Sequence, residues 1–152
     1  MIDEILKNWN LGELMVQASN ELGVNFYVTH LAIDEVEKIS PDRDEHRIAL
    51  LQILAQLPAD RIATSVAVLD VSRFDEARFG DEDDSADFER LIGGNPRHAE
   101  DAIVAMTARS IGATIVSFDR DLRRMARQIE TKCVTPDRLL ETLPERLADS
   151  AG

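Results

Sequence analysis

Carboxylates stand where an α/β chain places its chemistry. Glu35 falls one to two turns into a predicted helix, Asp101 opens an apolar helix, and Asp119 follows directly on the run ATIVSF, with Asp121 two residues later. Converging carboxylates with no other ligand type suit hard divalent cations, Mg2+ or Mn2+, rather than zinc. Asp101 carries the most weight. It precedes Ala102, Ile103, Val104, Ala105 and Met106, and burying an uncompensated carboxylate beside such a run is costly. Acids are common here, 29 of 152 residues, so each also has an ordinary explanation. Asp119 reads as a helix N-cap, Asp101 and Glu100 as first-turn acids favoured by the helix macrodipole, and Glu35 as a solvated carboxylate.

The elements that must position these acids follow from apolar periodicity. Residues 10–22 place Leu11, Leu14, Met15, Ala18 and Leu22 on one helical face, with Gly23 as the stop. NFYVT (25–29) reads as a strand, 31–39 as a helix broken by Pro41, and 44–57 as a third helix ending before Pro58. TSVAVLDV (64–71) is an unbroken apolar run, the mark of a strand covered on both faces. Residues 72–91 suggest two short helices around an acidic turn, then the loop 92–98. A helix over 100–110, apolar nearly all round, ends at Gly112, and ATIVSF (113–118) is a second buried strand. A helix at 121–129, a short strand at 131–135 and a helix at 136–143 opened by proline complete the chain. Strands separated by helices imply right-handed crossovers. The expected class is α/β, a three-layer α/β/α sandwich with a central parallel sheet, one domain over 1–145 and a tail over 146–152.

Composition narrows the classes. No apolar run approaches the length of a membrane span, and the start MIDEILKNWN lacks the basic and apolar segments of a signal peptide, so a cytoplasmic protein is expected. The single Cys133 excludes an internal disulfide framework and any Cys-based zinc cluster. The net charge of −12 does not advertise a nucleic-acid binder, and it equally suits a protein of salt-loving origin. Of the 17 bases, only Lys7, Lys38 and Lys132 are lysines, and guanidinium still pairs bidentately with phosphate.

The stretch from His98 to Leu122, HAEDAIVAMTARSIGATIVSFDRDL, resembles the C-terminal half of a PIN domain, with its D-A-x-I-A-x-x-A helix, G-A-x-[IVL]-V strand and [ST]-x-D-x-D-[FL] ending. FYVTHLAIDEVEKI is similar to the family's second strand and helix, and VTPDRLLETL to its closing strand and helix. The resemblance implies a metal-dependent endoribonuclease, either the toxin of a toxin–antitoxin pair or an RNA-processing factor. Glu35 matches the helix-borne acid, Asp101 the acid of the D-A-x-I-A helix, Asp119 the acid after the strand, Asp121 an additional carboxylate, and Ser117 the small hydroxyl residue two places before Asp119. One or two Mg2+ or Mn2+ ions held there would polarise the scissile phosphate, lower the pKa of a bound water and stabilise the leaving oxygen. The implied partners are RNA, an antitoxin and a second copy of the chain.

The family's first strand ends in D-[TS]-N, which this chain lacks. Either Asp3 stands in that place, or the reading frame continues upstream with the strand, as the difficulty of omitting a central strand suggests. Without the first acid, the alternative is a catalytically silent PIN-like binding or assembly module. Arg120, Arg123 and Arg124, with Arg97, Arg109 and Arg127, crowd the site region as RNA phosphate contacts or as a solvated, acid-paired face. His30, His46 and His98 are too scattered for a zinc site, Gly93-Gly94 reads as a turn, Cys133 as core, and Asp81–Asp84 as a solvated loop.

Overall fold

The computed structural model describes residues 9–68, 71–72, 75–78 and 82–150. Asp3 and the proposed beginning of the chain lie outside them. The elements in order are α1 (Trp9–Leu22), β1 (Phe26–Thr29), α2 (His30–Glu37), α3 (Asp44–Gln56), β2 (Ala59–Ile62), α4 (Glu82–Ile92), α5 (Ala99–Ser110), β3 (Ile115–Val116), α6 (Arg120–Gln128), β4 (Cys133–Val134) and α7 (Pro136–Ser150). The class is mixed α/β with two small parallel sheets, β1 with β2 and β3 with β4.

The chain gathers into two compact units. The first holds the described residues up to Val28, then Ala32–Arg61, then those from Thr135 onward. Its core is Leu11, Met15, Ile53 and Leu57, with Phe26, Ala59, Leu139 and Leu140 packed against them. Here α7 lies against α1. The sequence predicts this last helix over 136–143. It instead crosses Pro144 and runs to Ser150. Proline removes one helical donor, but Leu143 and Leu147, four residues apart on one face, are both buried, and that apolar burial outweighs the missing bond.

The second unit holds Thr29–Leu31 and Ile62–Val134. Its core centres on α5, where Ala102, Ile103, Ala105 and Met106 are essentially inaccessible, joined by Leu122, Met125 and Ala126 of α6 and Phe88 and Leu91 of α4. Burying an Ile or Met side chain contributes about 1.5–3 kcal/mol, so Ile103→Ala would damage this unit most directly. Helix α5 ends as its sequence predicts: Gly112 sits at φ +65°, and the Ala113 N–H reaches back to the Ala108 carbonyl at 2.9 Å.

The apolar run at 64–71 departs from its reading, because its described part is no extended strand. Thr64 makes one isolated bridge to Ala77, its N–H donating to the Glu76 carbonyl at 2.8 Å. The next donors go to hydroxyls: the Ser65 N–H to Thr107 Oγ1 at 3.1 Å and the Val68 N–H to Ser72 Oγ at 3.0 Å. Side-chain oxygens thus substitute for a neighbouring strand. The strand forms one segment earlier, at Ala59–Ile62. The acidic run also differs, since Glu82, Asp83 and Asp84 open α4 rather than lying in a loop, which the positive end of the helix dipole favours. Only Ile115–Val116 of ATIVSF pairs as strand, and Phe118 is exposed rather than buried.

Candidate functional site

The second unit brings three of the acids together at the start of two helices. The route begins at β3, which runs parallel to β4 with Ile115 opposite Cys133 and Val116 opposite Val134. The Ile115 N–H donates to the Lys132 carbonyl at 2.9 Å and the Ser117 N–H to that of Val134 at 3.0 Å, so the strand is held to its last residue and just beyond. There the chain turns. Ser117 Oγ accepts the Asp119 N–H at 3.0 Å, and Asp119 Oδ1 accepts the Leu122 N–H at 2.8 Å. Asp119 is therefore the N-cap of α6, and Ser117 fixes the turn that presents it. Packing of α6 against α5 then carries Asp119 and Asp121 up to Asp101 in the first turn of α5.

Their proximity is electrostatic as well as spatial. Burial pushes the Asp101 carboxyl up to about 6, and the negative charges of Asp119 and Asp121 push the same way, with a further contribution from Glu100. His98, the N-cap residue of α5, pulls in the opposite direction. Asn95, which the sequence reading did not single out, holds that imidazole: Asn95 Nδ2 and His98 Nε2 are 3.2 Å apart, while Asn95 Oδ1 accepts the Arg97 N–H at 3.2 Å. Asparagine ahead of Pro96 is the sequence signal for such a cap. The dipole at the start of α5 favours Asp101 as an anion, yet desolvation and three neighbouring acids prevail.

Not every candidate stands free. Asp121 pairs with Arg124 at 3.2 Å, so a candidate ligand and a candidate phosphate contact neutralise each other across one helical turn. Arg109 is spent within the fold, bridging α5 to Asp87 at 2.5 Å and Asp84 at 3.5 Å on α4. Its hydrogen bond holds the Asp87 carboxyl below the ordinary carboxylate range. Arg120 and Arg123 are exposed on α6. Cys133 is half-buried, and burial pushes its thiol up, opposed by Arg123 and Arg127.

Glu35 belongs to the first unit, where it is exposed on α2. A shallow depression in that unit, lined by Pro41, Asp42, Arg43, Asp44, Glu45 and His46, includes none of the predicted acids. Among the described residues, no three His, Cys, Asp or Glu side chains are arranged to hold a metal ion, and no helix is long and apolar enough to cross a membrane. No family model, curated protein or solved structure matches the chain.

Proposed function

We propose that the protein is a PIN-like, Mg2+- or Mn2+-dependent endoribonuclease that hydrolyses RNA phosphodiester bonds, as the toxin of a toxin–antitoxin pair or as an RNA-processing factor. With this go a cytoplasmic setting, an antitoxin and a second copy of the chain as partners, and the three-layer α/β/α sandwich as the finer form of the mixed α/β fold. The supporting observation is that α5, β3 and α6 bring Asp119 and Asp121 to the half-buried Asp101, where their charges add to burial in raising its carboxyl. A half-buried carboxylate beside like charges is costly unless a cation joins them.

The donor set fits such an ion, because it is made of carboxylate oxygens alone, and Mg2+ keeps most of its water while using one or two carboxylates. When bound, the ion supplies Lewis acidity to the scissile phosphate and acidity to a coordinated water. The chain's own contribution is positioning. Asp119 has one oxygen committed to the Leu122 N–H, while the other has no partner among the described residues, so its carboxylate is oriented before any substrate arrives. Ser117 holds the turn beneath it. Asp101 is positioned by the most deeply packed helix of its unit.

The test combines cleavage of a labelled RNA in Mn2+ or EDTA with thermal unfolding. Cleavage that needs the metal and disappears in Asp101→Asn, with a Mn2+-dependent rise in Tm confined to the wild type, supports the reading.

A silent PIN-like binding module is the second reading. It is favoured by the lack of a three-ligand metal arrangement among the described residues. Neither cleavage nor a metal-dependent Tm shift would assign the protein to it.

A further inference from the structure

Helix α6 is divided lengthwise by charge. Leu122, Met125 and Ala126 are buried, with Ile129 just past its end, while Arg120, Arg123, Arg124 and Arg127 are all exposed. At 3.6 residues per turn, Arg120, Arg123 and Arg127 fall within an arc of about 60° opposite the buried side. Arg124 is paired with Asp121. Among the described residues, Arg120, Arg123 and Arg127 have no ion-pair partner, in a chain with 29 acids and 17 bases. An acidic protein that keeps a line of guanidinium groups free presents them to an external anion.

A second observation lies at the head of this line. Phe118, between Ser117 and Asp119, leaves 45% of its surface in solvent although it lies two residues past the strand that begins at buried Ile115. Its neighbour Asp119 belongs to the acidic group around Asp101. An exposed aromatic face beside free guanidinium groups matches the two-part chemistry of a nucleotide, base and phosphate.

We infer that the outer face of α6, from Phe118 to Arg127, is a track for single-stranded RNA, with Phe118 stacking a base beside the acidic group and Arg120, Arg123 and Arg127 meeting successive phosphates. The helix rise spaces these arginines about 4.5 and 6 Å apart along the axis, over a total of about 10 Å, which is room for a few nucleotides. A duplex has no free base face to offer Phe118, so only an unstacked strand uses both parts. The inference rests on the proposal that the acidic site acts on RNA, and it adds the direction from which the strand approaches.

The experiment uses full-length Asp101→Asn, which leaves RNA uncut, and measures anisotropy of a labelled 12-residue oligouridine over a range of salt concentrations. Adding Phe118→Ala should weaken binding about tenfold to a hundredfold with the salt slope unchanged, and Phe118→Trp should restore it. Three phosphate contacts correspond to a slope of about −2, and Arg123→Ala or Arg127→Ala should each reduce its magnitude by about 0.7. A duplex of the same length should show no sensitivity to Phe118→Ala. Equal affinity with and without Phe118, or an Arg variant that leaves the slope unchanged, overturns the track. So does a lack of RNA binding together with self-association abolished by Arg123→Ala, which would assign the ridge to the acidic surface of a second copy. RNA binding that depends on Phe118 without cleavage by the wild type keeps the track and removes the nuclease. Metal-dependent cleavage indifferent to Phe118 does the reverse.

Discussion

Replacing Asp101 by Asn should stabilise the metal-free protein at neutral pH. The carboxyl is raised to about 6 by burial and by Asp119 and Asp121, so the folded state binds its proton more tightly than the unfolded chain does. Ionisation therefore opposes folding. The penalty is absent below the unfolded value near pH 4, grows between about pH 4 and 6, and is complete above that. A displacement of roughly two units corresponds to a ceiling of about 3 kcal/mol at 1.36 kcal/mol per unit. Partial exposure of the side chain screens this to about 1–2 kcal/mol. Asn also forgoes the attraction of a first-turn carboxylate to the helix dipole, about 0.3–1 kcal/mol, leaving a net gain of about 1 kcal/mol. For a chain of this length that is a rise in Tm of about 2–4 °C. Urea unfolding of both proteins from about pH 8 down to pH 4 measures it, with EDTA present throughout. The gain should be largest at the alkaline end and close as pH falls. A mutant less stable than wild type at pH 7.5, or a difference that does not shrink on acidification, would refute the electrostatic account of the site.

Three further outcomes follow from other places in the fold. Glu130 sits at φ +56° just past the end of α6, where the Thr131 N–H bonds to the Ala126 carbonyl at 2.8 Å, so Glu130→Gly should stabilise by up to about 1 kcal/mol and raise Tm accordingly. His30 is completely buried, neither ring nitrogen has a hydrogen-bond partner among the described residues, and Nδ1 lies 4.0 Å from Glu76 Oε2, beyond hydrogen-bond reach. His30→Leu should therefore maintain or raise stability in urea titration, because unsatisfied buried polar atoms cost about 1–3 kcal/mol, whereas a loss above about 3 kcal/mol would reveal a buried ion pair with Glu76. Arg109→Ala should cost about 1 kcal/mol at neutral pH through its partly buried pairs with Asp87 and Asp84, and the loss should fade as pH falls from about 4 through the lowered folded value of Asp87.

Legibility in this sequence follows burial. Leu11, Met15 and Ala18 recur at helical spacing and are fully buried, so α1 was visible in its letters, and α5 likewise. Strand β2 was not: ADRI has Asp60 and Arg61 exposed at its centre, which leaves no alternating apolar pattern to read. The run at 64–71 misled for the opposite reason. It is apolar, but the hydroxyls of Thr64, Ser72 and Thr107 bond its backbone, and the run's own apolar letters carry no sign of them.

At the candidate site the same distinction separates position from state. An acid after an apolar strand and an acid opening an apolar helix were legible as Asp119 and Asp101, because the strand and helix that carry them are defined by burial. Which atoms they have left to offer was not, since that depends on short polar contacts with no apolar signature. Asp119 reads both as a helix cap and as a ligand, and the structure makes it a cap with one oxygen unpartnered among the described residues. Asp121 and Arg124, three residues apart, were separate candidates for metal and for phosphate, but they spend their charges on each other. What remains is an acidic group centred on Asp101, at the head of a helix whose free arginines carry the opposite sign. On the proposed function, a phosphodiester strand approaching along α6 would be drawn by Arg127, Arg123 and Arg120 and repelled by the acids at its end, so productive contact there would require a cation. Under that proposal metal dependence of cleavage and salt dependence of binding are separable: the first should vanish with Asp101 and the second should survive it.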